Sequence, residues 1–127
     1  MELWTLPVPA TALVEGPTFA ALPKRQCEIS FYIEGNDGAS TKLSLLFERV
    51  EAFKCTYLTS RTAEMFNAAY GKLVRLGATP WLSELLKTYN SSALAPKTLQ
   101  HLMICFDDGP CYEIICIGYS VSASGCA

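Results

Sequence analysis

The carboxylate least in keeping with its neighbours is Glu113, inside the run Tyr112–Val121 (YEIICIGYSV). Burying a charge in such a strand is costly unless a partner holds it. Glu113 therefore reads either as half of a structural pair with an Arg or Lys from elsewhere, or as an acid, base or ligand anchor tuned by burial. His101 is the one histidine in the chain. A histidine beside an apolar strand reads first as a structural hydrogen-bonding group, because a catalytic base needs a positioned partner. With Trp81 and Tyr112, these two residues are the candidates for a ligand-binding site between a sheet and helices.

The other nucleophiles and ligands lead less far. Six cysteines are present, Cys27, Cys55, Cys105, Cys111, Cys116 and Cys126. Five lie in strand-like runs, where a free thiol behaves as a small apolar residue; Cys126 lies in the tail. A Cys–His nucleophile pair would need a basic neighbour to lower the thiol pKa, and the sequence places none nearby. The spacing Cys105-x5-Cys111-x4-Cys116 contains no C-x-x-C pair and gives no zinc knuckle. No phosphate-binding glycine loop occurs. No catalytic set, metal or cofactor is expected, and an enzyme is the less favoured reading.

Whether His101 and Glu113 can meet depends on one turn. Leu102–Phe106 and Tyr112–Val121 flank Asp107-Asp108-Gly109-Pro110, and Asp-Gly between strand-like runs is a strong hairpin signal because the favoured turns need φ > 0. A two-residue loop, Asp108-Gly109, pairs residues whose numbers sum to 217. Leu102, Ile104 and Phe106 then share a face with Ile115, Glu113 and Cys111. His101, Met103 and Cys105 share the other with Cys116, Ile114 and Tyr112, so His101 and Glu113 face apart. A loop one residue longer, which Pro110 would suit, reverses these assignments.

The remaining elements follow in order. Leu3–Leu6 suits a short edge strand. Pro7, Pro9, Pro17 and Pro23 exclude a central strand, and the rest of 1–26 reads as a surface wrap anchored by Trp4 and Phe19. Cys27, Ile29, Phe31 and Ile33 alternate with Glu28, Ser30, Tyr32 and Glu34, the period of a strand with one buried face. After the turn Gly35-Asn36-Asp37-Gly38, Leu43, Leu45 and Phe47 continue the alternation. The parity then breaks towards Val50, Phe53, Cys55 and Tyr57, which predicts a bulge or corner near Glu48-Arg49. Met65, Phe66, Ala69, Tyr70, Leu73 and Leu76 have helical spacing and predict a helix over 60–76, capped by Ser60 or Thr62 and closed by Gly77. Thr79-Pro80-Trp81 opens a second helix that ends near Asn90. Residues 91–97 form a loop, and the tail after Val121 reads as frayed. The expected fold is α+β, a single domain over 1–127 with one antiparallel sheet of about five or six strands and two helices packed on one face.

Composition narrows the partners. Half the residues are apolar, 17% are charged and the net charge is −2, which suits a folded domain and lacks the clustered Lys and Arg of a nucleic-acid binder. No apolar stretch is long enough to cross a membrane, and no signal-peptide pattern opens the chain. A cytoplasmic protein is expected.

The thirteen residues from His101 to Glu113, HLMICFDDGPCYE, resemble the closing hairpin of small uncharacterised bacterial proteins, some carried on mobile gene cassettes and some similar to immunity-type proteins that neutralise a toxin. The shared pattern is a His before the strand, an acidic-Gly turn and Tyr-Glu on the return. The resemblance implies no catalytic residue. Two functions compete. The leading expectation is a non-enzymatic module that binds a protein partner or a second copy of itself, motivated by negative charge and by aromatics outside the core pattern (Trp4, Tyr32, Tyr89). The alternative is a small-molecule-binding protein or enzyme with a pocket between sheet and helices that involves Glu113 and His101, with Trp81.

Overall fold

Alternating and doubly apolar strands have to bury their faces somewhere, and they do so against each other. In a computed structural model that describes residues 1–35, 37–57, 62–87, 99–107 and 109–125, nine strands form two antiparallel sheets. The strands are β1 (Glu2–Thr5), β2 (Glu15–Leu22), β3 (Gln26–Glu34), β4 (Ser40–Glu48), β5 (Ala52–Thr56), β6 (Lys72–Leu76), β7 (Gln100–Cys105), β8 (Cys111–Cys116) and β9 (Gly118–Gly125). One sheet has the order β1-β6-β7-β8-β5 and the other β2-β3-β4-β9. Helices α1 (Ala63–Ala69) and α2 (Pro80–Lys87) pack on the five-stranded sheet, so the α+β class stands. The strand count is nine in place of five or six, and the second face of the first sheet is covered by the other sheet.

The main core lies between the sheets. Ile29 and Phe31 of β3, Leu45 and Phe47 of β4, Leu102 and Ile104 of β7 and Ile114 of β8 are all fully buried there. The expected alternation of β3 and β4 holds, from Cys27 opposite Phe47 to Glu34 opposite Ser40.

The expected corner is also present. β4 pairs with β9 with Glu48 opposite Gly118, whereas β5 pairs with β8 with Ala52 opposite Ile115. Four steps on one strand match three on the other. The extra residue falls where Arg49 adopts φ 53°, and the ribbon bends there from one sheet into the other.

Three expectations fail for identifiable reasons. The helix predicted over 60–76 stops at Ala69. Thr62 caps it by accepting from the Met65 amide at 3.1 Å, Gly71 takes φ 68°, and Lys72–Leu76 is a strand between β1 and β7. Its Leu73 enters the main core while Val74 and Leu76 pack under α1; a strand buried on both faces shows no period of two. Residues 15–22, read as a wrap, form edge strand β2, whose register shifts around Pro17. A Cβ on Gly16, at φ 107°, would meet the Phe31 backbone at 2.9 Å, so this close approach requires glycine. The tail read as frayed is β9, paired with β4 along its length. Ser60, Tyr89, Asn90, the loop 91–97, Asp108 and Cys126 lie outside the described residues.

Candidate functional site

The closing hairpin pairs in the register that Pro110 suits. Gln100 lies opposite Cys116, His101 opposite Ile115, Met103 opposite Glu113 and Cys105 opposite Cys111. This is one residue from the two-residue-loop register and exchanges the faces of the return strand. Leu102 and Ile104 now share the core face with Tyr112, Ile114 and Cys116. His101 and Glu113 share the helix-covered face, where they meet.

His101 is 3% exposed. Its Nε2 lies 2.9 Å from Glu113 Oε1 and its Nδ1 lies 2.8 Å from Thr79 Oγ1. Thr79 is the predicted cap of α2, and its Oγ1 accepts from the Leu82 amide at 3.2 Å, leaving its own proton to donate to Nδ1. A ring protonated on Nε2 donates to Glu113 and accepts at Nδ1, and a ring protonated on both nitrogens donates at both. Trp81 stands edge-on to the imidazole, with ring centres 5.0 Å apart. Lys54, opposite Glu113 on β5, places its ammonium 4.2 Å from the Trp81 ring centre.

Electrostatics favour the ionised carboxylate. The hydrogen bond from His101 holds the Glu113 pKa below its usual value, against an opposing desolvation and with help from the charges of Lys54 and His101. The hydroxyl–imidazole–carboxylate order resembles that of nucleophilic triads, but Thr79 Oγ1 already serves a helix amide. The line therefore fastens α2 to the sheet and fixes the direction of Glu113.

Glu113 sits where the two helix-covered patches divide. Met65 and Ala69 of α1 pack on Val74 and Met103 of the sheet, whereas Leu82 of α2 packs with Leu99 and Ile115. On the α1 side Glu113 borders a cleft of about 280 Å³ with Glu64, Met65, Ala68, Leu76 and Met103. Of the four expected site residues, His101, Glu113 and Trp81 are brought together. Tyr112 is not: it faces the main core and stacks on Phe19 at 5.3 Å. Sequence reading missed Thr79 and Lys54 as members of the site. The i+3 amide of a helix cap marked Thr79, but nothing local marked Lys54.

A larger hollow of about 400 Å³ lies elsewhere, between the β2–β3 turn and the β4–β5 corner, lined by Leu22, Cys27, Val50 and Phe53 among others. Its charged groups, Arg25 and Glu51, are paired with each other, whereas the smaller cleft is lined by two carboxylates, Glu64 and Glu113. The smaller cleft is the better candidate on chemistry.

The cysteines depart from expectation at one pair. The observed register sets Cys105 and Cys111 opposite each other with Cα atoms 4.1 Å apart, and they form a disulfide where free packed thiols were expected. Cys116 faces the core, away from His101, and burial pushes its thiol up to about 12; burial also raises Cys27. Cys55 is exposed. In a Cys126→Ser background, a thiol reagent should label Cys55 in the native protein and reach Cys27 and Cys116 only on unfolding. Peptide mapping after alkylation checks this order.

Among the described residues, no group of three or more His, Cys, Asp or Glu is placed to hold a metal ion, and no helix is long and apolar enough to cross a membrane. No family model, curated protein or solved structure matches the chain.

Proposed function

We propose that the protein binds a small organic cation, a primary ammonium on a short apolar body, in the cleft between α1 and the five-stranded sheet. The observation that carries this reading is a carboxylate held by the His101 ring nitrogen at 2.9 Å, at the wall of a cleft otherwise lined by Glu64, Met65, Ala68, Leu76 and Met103. Glu113 supplies the charge, Met65 and Met103 adapt to the body of the ligand, and Glu64 adds negative potential at the rim. The volume sits near the lower end of small-molecule sites, roughly 300–1,000 Å³, and suits a compact ligand. Specificity would come from Glu113, whose orientation is set before the ligand arrives.

This places the pocket ahead of a partner-binding or immunity-type role, for which the site supplies no separate support. A cytoplasmic setting, which the thiols of Cys27, Cys55 and Cys116 suit, would keep Cys105 and Cys111 reduced in the cell.

A thermal-shift series with short alkyl- and arylalkylammonium ions tests the proposal. A ligand at about 100 times its dissociation constant adds about 2.7 kcal/mol. Glu113→Gln keeps an oxygen for His101 Nε2–H but removes the charge, so it should abolish the shift while the variant still melts cooperatively. A shift of equal size in Glu113→Gln would refute the assignment.

A further inference from the structure

An edge strand presents unpaired backbone donors and acceptors to any strand that approaches, and proteins ordinarily guard such edges with charge, proline, bulges or shortness. Three of the four edges here are guarded. β1 has four residues and an irregular register. β2 contains Pro17 and a register shift. β5 has five residues and carries Lys54.

The fourth edge is different. β9 runs eight residues, GYSVSASG, with no charge and no proline. It stays in unbroken register with β4 from Gly118 to Gly125. Among the described residues, nothing pairs with its other side. Tyr119, Val121 and Ala123 lie opposite Phe47, Leu45 and Leu43, so they share the core-facing side of the sheet. Even so, Val121 is 38% exposed. The apolar face is open at this edge.

We infer that β9 is a self-pairing edge: two copies of the chain join antiparallel through β9 about a two-fold axis near Val121 and Ser122, making one continuous eight-stranded sheet. A second copy suits this edge because the strand can face itself without charge conflict. Antiparallel pairing of a strand with itself about a two-fold sets residues near the axis opposite their own symmetry mates, so a charge there would face a like charge. β9 has none, and its side chains, Tyr119 apart, are small. The two-fold also brings the exposed Val121 side chains from both copies together at the rim of the cores.

The test uses the outer face, where Ser120 and Ser122 lie exposed opposite Leu46 and Ser44. Lysines there leave the core untouched. By sedimentation equilibrium, the wild type should rise with concentration from 13.9 kDa towards twice that mass. Ser120→Lys/Ser122→Lys should remain monomeric. Mixed with Ser120→Glu/Ser122→Glu, it should recover the heavier species. Hydrogen exchange of the wild type gives a readout independent of the variants: amides between Ser120 and Ala123 should gain protection as concentration rises. A wild type that stays monomeric with concentration-independent exchange overturns the inference, as does a lysine variant that dimerises like the wild type.

Discussion

Replacing His101 with alanine should destabilise the protein by about 3 kcal/mol, since removing one member of a buried polar pair strands the other. Glu113 would be left with its side chain 12% exposed and without its imidazole donor. Thr79 Oγ1 would lose the acceptor for its proton, and Trp81 would lose the ring against which it stands. At roughly 4 °C per kcal/mol for a domain of this size, the melting temperature should fall by about 10 °C. His101→Gln, which can still reach one partner, should cost less. The pH dependence carries the sign of Glu113. Its folded pKa is depressed below 4.5, so its contribution is present in full above that value and fades as pH falls through the lower folded pKa. Acid unfolding of Glu113→Gln should accordingly lack part of the wild-type slope below pH 4.5. Urea titrations across pH measure both effects.

Phe31→Ala should cost more, about 3–5 kcal/mol. Phe31 is fully buried between the sheets and meets Trp4 at 6.2 Å and Phe106 at 5.6 Å between ring centres. Both rings are carried by the five-stranded sheet, opposite Phe31 on β3, and backbone ladders hold the two sheets, so neither ring can collapse freely into the void. A typical domain has only about 5–15 kcal/mol in total, and this variant should be partly unfolded at moderate temperature. Phe53→Ala, at a ring that is 48% exposed, provides the contrast. It meets the Phe19 ring at a tilt, with centres 4.8 Å apart, but should lose no more than about 1 kcal/mol. Equal losses at the two positions would show that the core does not lie between the sheets.

These two positions also show what the sequence could convey. Phe31 was legible because β3 buries one face and leaves the other to solvent, so its apolar residues recur every second position. The corner at Glu48-Arg49 was legible for the same reason, as a break in that parity. β6 was not: Leu73, Val74 and Leu76 are needed on both faces of the sheet, and their spacing matches a helix as well as a strand. β9 was not, because an edge strand of Ser, Ala and Gly is ordered by its ladder with β4 and carries no strong side-chain signal. The meeting of His101 and Glu113 turned on one residue of loop length. The Asp-Gly signal favoured the shorter loop, while Pro110 marked the alternative that the structure adopts.

The same register creates both halves of the proposed site. It brings Glu113 under the control of His101, and it places Met103 beside Glu113 on the wall facing Met65. Binding in this cleft therefore engages methionines as well as a carboxylate. The chain has three, Met1, Met65 and Met103, of which two line the cleft and Met1 is 71% exposed. Methyl NMR of methionine-labelled protein during titration with a short alkylammonium ion reads them separately. Saturable shifts are expected at the Met65 and Met103 methyls, none at Met1, and none at any of them with the neutral alcohol of the same shape. Unchanged Met65 and Met103 signals, or equal shifts with the alcohol, would contradict cation binding in this cleft.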